Sequence, residues 1–153
     1  MKNIILILAC LWIGGCGSHV PIGEIKISSK FDSDHQEKIL QAAEEWSNAL
    51  PECSIKVSIS DDETANVIPW DDDVECQTTR GITNLDSHAI KLCTNGILYQ
   101  FRISALHELG HALAARDDHD VSGIMFWAYS RDNNKLTAED LDYVRSRCTR
   151  SSQ

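Results

Sequence analysis

No two cysteines in this 153-residue chain stand at the C-x-x-C spacing, so a cysteine-built zinc site of the finger or ribbon kind has no support. Cations are in the minority. The 14 Lys and Arg face 23 Asp and Glu, a formal net charge of -9, which argues against nucleic-acid binding as the main role. The longest apolar run, IILILACLWI at residues 4–13, falls short of the roughly 20 residues that an ordinary membrane-spanning helix needs. Internal repeats and low-complexity tracts are also missing, which removes solenoids and biased linkers from consideration. What remains is a length that suits one domain and can bury a core.

The N-terminus has a positive residue, Lys2, then the apolar run, then small residues. That order is a secretory signal pattern. Its end, IGGC, resembles the bacterial lipobox, in which a cysteine becomes the lipidated first residue. Cys16 takes that place. Cys10, in ILAC, fits the local pattern but leaves a very short apolar region, and a plain signal peptide cut near Gly17 is the competing reading. The expected organisation is a signal peptide with lipobox at 1–16, a tether at 17–21 and one domain at 22–153. Gly17 differs from the Asp that retains some lipoproteins in the inner membrane. The expected location in a Gram-negative host is therefore the outer membrane of the cell envelope, with Cys16 as lipid anchor. Export leaves Cys53, Cys76, Cys93 and Cys148, and an even count in an exported chain suggests two disulfides. Three connectivities are open. A hairpin bracketed by Cys76 and Cys93 favours that pair, with Cys53 joined to Cys148.

Patterning predicts an α/β (α+β) domain. IGEIKIS at 22–28 alternates as a strand. Residues 33–50 read as a helix with Ser33 as cap and Ile39, Ala43, Trp46 and Leu50 on one apolar stripe, stopped by Pro51. SIKVSIS at 54–60 places Ile55, Val57 and Ile59 on one strand face. ANVIPW is a shorter strand. The acidic loop 71–75 could take a structural calcium ion, but solvation is the expected state. TTRGITN and HAIKLC read as two strands joined at LDS. Residues 99–114 are helical again, with Leu106, Leu109 and Leu113 on one face. An irregular segment follows to 134. The last helix opens at LTAED, where Thr137 and Asp140 have capping-box spacing.

The second long helix carries His107-Glu108-Leu109-Gly110-His111, an H-E-x-x-H motif. Residues i and i+4 lie one turn apart on one face, so both imidazoles can address one point, as two of three zinc ligands. Glu108 stands beside them and can take a proton from a water in the metal's open position. A bare H-E-x-x-H also occurs on ordinary amphipathic helices. A third ligand must come from outside the helix, and Asp117 and His119 both follow it. His19, His35 and His88 have no metal-like spacing and are expected on the surface. Trp46, Trp70 and Trp127 are expected in the core or in a cleft wall.

With Asp117 and Met125 added, the stretch resembles the metzincin pattern H-E-x-x-H-x-x-G-x-x-H/D followed by a Met-turn. Within that clan it looks like a small matrixin-type metalloprotease, with the aspartate third ligand of the snapalysin-like branch. Ala114 stands where the pattern has Gly, and Met125 lies eighteen residues after His107. The resemblance implies a zincin fold: a twisted, mixed five-stranded sheet with two long helices and a small C-terminal subdomain ending in a helix. It implies one catalytic zinc ion on His107, His111 and Asp117, with His119 as the alternative third ligand. Glu108 would be general base, Met125 an apolar floor and Tyr129 a lining of the substrate pocket. An extended peptide or protein substrate would lie along the strand near 79–84 of a monomer. Two other readings stay open. One is a gluzincin-type hydrolase using Glu139 as third ligand. The other is an exported lipoprotein whose degenerate zincin fold only binds, against which the intact Glu108 argues.

Overall fold

The computed structural model describes residues 23–61, 63–71, 74–77, 79–117, 123–125 and 135–148. Its elements follow in the order β1 (Glu24–Ser28), α1 (Ser33–Ala49), β2 (Lys56–Ser60), β3 (Val67–Trp70), β4 (Gly81–Asn84), β5 (Ala89–Cys93), α2 (Leu98–Ala112) and α3 (Ala138–Cys148). This is the order expected from patterning. The sheet runs β2-β1-β3-β5-β4. β1, β2, β3 and β5 are parallel, and β4 pairs antiparallel with β5. The described residues thus form a mixed α/β fold with a five-stranded mixed sheet and three helices. None of the described helices is long and apolar enough to cross a membrane.

Strand alternation decides what the sheet buries. Ile25 and Ile27 of β1, Val67 of β3, and Ile90 and Leu92 of β5 are fully buried, in one cluster with Ile39, Ala43, Trp46 and Leu50 around α1 and Leu106 and Leu109 of α2. Trp46 ties the two long helices together. Its ring is buried, and its Nε1–H donates to the Leu106 carbonyl at 2.8 Å. That bond satisfies the indole's one donor where water is absent, and it fixes the rotation of α2 just before His107.

Several local expectations shift. Asp32, not Ser33, caps α1: its backbone is extended and its side chain accepts from the His35 amide at 2.9 Å. Ile59 shares a strand face with Val57 but stays 49 % exposed, because β2 is an edge strand with a neighbour on one side only. His35 is not a surface residue. Its side chain is 13 % exposed, its ring packs edge-on to Phe101, and its Nδ1 meets Asp32 at 2.8 Å. His88 is half-buried, with its Nδ1 out of solvent. Trp70 is half-buried on β3, with the Lys91 ammonium over its ring. The capping box of α3 forms as spaced: the Thr137 amide donates to Asp140 Oδ2 at 2.7 Å and the Asp140 amide to Thr137 Oγ1 at 3.3 Å.

Two disulfides hold the periphery. Cys76–Cys93 joins the segment before β4 to the end of β5, and Cys53–Cys148 joins the turn after α1 to the end of α3. The second closes a 95-residue separation, the kind of cross-link that most restricts the unfolded chain.

Candidate metal centre

The helix positions His107 and His111 by its own period. Their rings meet edge to face with centroids 4.6 Å apart. What aims the rings is the partner of each Nδ1. His107 Nδ1 lies 2.7 Å from the Ile124 carbonyl and His111 Nδ1 lies 3.3 Å from the Ala115 carbonyl. A carbonyl can only accept, so each Nδ1 carries the proton and each Nε2 of a neutral ring presents a lone pair. This is the arrangement that orients ligating histidines.

The third group arrives through a tight exit from α2. Ala115 N–H donates to the Gly110 carbonyl at 2.8 Å and Ala114 N–H to the His111 carbonyl at 2.9 Å. Those two bonds define a Schellman motif. Ala114 occupies its left-handed position, with φ 72°, where an L-residue costs on the order of 1 kcal/mol. The turn returns Asp117 to the histidines. Asp117 Oδ1 stands 3.4 Å from His111 Nε2 and 3.6 Å from His107 Nε2, and the two Nε2 atoms are 3.1 Å apart.

Those three separations test the fit of a metal. Ligands held tetrahedrally at about 2.0–2.1 Å from zinc stand about 3.3–3.4 Å from one another. The donor set brackets that value. Its chemistry agrees, since two imidazole lone pairs and a carboxylate oxygen converge, a donor set suited to a divalent cation. Among the described residues this is the one group of three or more His, Cys, Asp or Glu side chains close enough to share an ion. Glu139 does not belong to it. It is exposed on the first turn of α3.

Close packing supports the centre from below. Met125 is fully buried. A Cβ on Gly110 would collide with its sulfur and lie 2.8 Å from Trp46 Cζ2. Gly110 therefore lets Met125 lie directly against the turn that carries both histidines. It also places the neighbouring Ile124 carbonyl on His107.

Glu108 is 8 % exposed. Its carboxylate Oε2 accepts from Thr83 Oγ1 at 2.7 Å. A Cβ on Gly81 would lie 2.7 Å from Glu108 Cγ and 3.1 Å from Oε1, so β4 can approach only because position 81 has no side chain. Thr83 and Gly81 carried no functional signal in the sequence beyond lying on the strand at 79–84. β4 also keeps one side free of strand neighbours among the described residues. Cys93 N–H donates to the Arg80 carbonyl, so alternation directs the main-chain groups of Gly81 and Thr83 to that free edge.

The structure thus brings His107, His111 and Asp117 together, with the Glu108 carboxylate on Thr83 of β4 and Met125 packed on Gly110. Cys16, His19, His119, Trp127 and Tyr129 lie outside the described residues. Cys53, Cys76, Cys93 and Cys148 form the pairs that the hairpin argument favoured. No protein-family model matches the chain, and none of the curated proteins compared with it matches.

Proposed function

We propose that the chain is a zinc-dependent endopeptidase of the metzincin type, matrixin-like in its spacing and snapalysin-like in its aspartate ligand. The observation that carries the reading is the convergence of His107, His111 and Asp117 at metal-ligand separations, with Glu108 on the next residue of the same helix. Zinc held there would polarise a scissile carbonyl and acidify a water. Glu108 then takes the water proton and passes it to the leaving amine. Its burial keeps that transfer out of bulk solvent. The free edge of β4 offers main-chain donors and acceptors to an extended peptide, the usual means of adding a strand to a sheet. Met125 serves as an apolar support, since its sulfur is packed against Gly110. The mixed sheet with β4 as its antiparallel edge supports the zincin fold.

Export and Cys16 lipidation belong to the same reading. The two disulfides support it, because such cross-links persist in oxidising compartments. The test of function is direct. The purified protein should bind one zinc per chain and cleave a quenched peptide. A chelator should stop cleavage and added zinc restore it. Cleavage that survives complete removal of metal would refute the proposal.

A further inference from the structure

We infer that Thr83 is a positioning residue for Glu108, and that through it the strand on which the substrate lies also seats the general base. This rests on the hydrolase reading above and extends it to a residue outside the metal motif.

Thr83 has one hydroxyl proton and two acceptors in reach: Glu108 Oε2 at 2.7 Å and the Glu108 main-chain carbonyl at 3.0 Å. The carboxylate is nearer and charged, so it takes the proton. Oε2 is then fixed on β4. Oε1 lies on the Gly81 side and is the oxygen left to face the water. A glutamate side chain has three torsions to lose, and the helix backbone restricts only the first of them. The Thr83 hydroxyl and the Gly81 backbone restrict them together, from a different element. Thr83 also presents its main-chain N–H and carbonyl to the free edge of β4, as the strand register requires. One residue therefore contacts the peptide through its backbone and the base through its side chain. A peptide that pairs poorly with β4 would then be cleaved slowly as well as bound weakly.

The experiment uses the full chain and five proteins: wild type, Thr83→Ser, Thr83→Val, Glu108→Ala, and Thr83→Val with Glu108→Ala. Valine keeps the shape of threonine and removes the hydroxyl. Thr83→Val should keep its zinc and a KM within about twofold, while kcat falls about 10- to 100-fold. Thr83→Ser should recover most of that kcat. Thermal unfolding of the metal-free proteins gives a readout independent of turnover. Thr83→Val should lower Tm by about 2–4 °C when Glu108 is present and by clearly less in the Glu108→Ala background, where the hydroxyl can still donate to the main-chain carbonyl of residue 108. Unchanged kcat in Thr83→Val overturns the role. So does an equal kcat loss in Thr83→Ser, or the same Tm shift in both backgrounds. A wild type that cleaves nothing while the Tm coupling is present removes the hydrolase reading and the catalytic role with it. Absent coupling in a protein that does cleave removes the role of Thr83 alone.

Discussion

Two regions of the molecule hold a histidine by the same device and put it to different ends. At the start of α1, His35 Nδ1 meets the Asp32 carboxylate, its ring packs on Phe101, and its Nε2 is buried without a polar partner among the described residues. On α2, His107 and His111 are also anchored through Nδ1, but to carbonyls, and their Nε2 atoms converge with Asp117. Anchoring one ring nitrogen is therefore not what marks a site. It stabilises a cap at one end of the core and aims an Nε2 lone pair at the other. The free nitrogen separates the two: apolar surroundings on Phe101 leave it nothing to bind, whereas the Schellman turn at Ala114 brings it a carboxylate.

The contrast can be broken at its strongest point. Asp117→Ala should weaken zinc binding by more than about 100-fold, since loss of a ligand exceeds the 10- to 100-fold typical of a ligand's supporting partner. His119→Ala should weaken it far less, since Asp117 is the ligand of the two, and His35→Ala should leave zinc affinity unchanged. Competition titration with a zinc indicator orders the three, and a larger loss in His119→Ala than in Asp117→Ala would move the third ligand to His119. His35→Ala should instead lower stability, by about 1–2 kcal/mol in denaturant unfolding, through lost packing on Phe101. A metal-binding defect there would erase the distinction between the regions.

Ala114→Gly sharpens the metal side of the comparison. Glycine relieves the left-handed backbone but loosens the unfolded chain, so the net gain should be at most about 1 kcal/mol. A clear loss of stability would mean that the Ala114 methyl has a packing role outweighing its φ.

The smallest effect belongs to the cap. The Asp32 carboxyl is held below its ordinary value, first by the His35 amide that it accepts and then by the His35 ring. A depressed carboxylate stabilises the fold above its unfolded pKa, near the ordinary 3.8, and that stabilisation disappears as pH falls through the lower folded value. Asp32→Asn should therefore flatten the Tm profile below about pH 4 and leave its shape near neutrality unchanged. A profile altered only above pH 6 would place the titration elsewhere.

Much of this was legible in the sequence because it is periodic. Element order, the apolar stripe of α1 and the shared face of His107 and His111 follow from repeats of 2 and 3.6 residues. The spacing of Asp117 was legible as well, although its return depends on the turn at Ala114, where no glycine announces positive φ. What escaped was tertiary. Thr83 and Gly81 touch Glu108 across 25 and 27 positions of chain, and nothing local to TTRGITN points at a helix residue. His35 looked exposed because its cover, Phe101, comes from α2. The cap lies one residue from where the pattern puts it because Asp32 and Ser33 are both good N-caps, and only the backbone angle chooses between them.

The claim that matters most is that Glu108 works as a base beside a bound metal. Glu108→Gln preserves shape and removes the carboxylate's basicity. Metal content and peptide turnover should be measured on the same preparation of that variant. The account predicts one zinc per chain, as in the wild type, with turnover reduced by roughly 100- to 10,000-fold. A zinc-loaded Glu108→Gln protein that cleaves at near wild-type rate would contradict it.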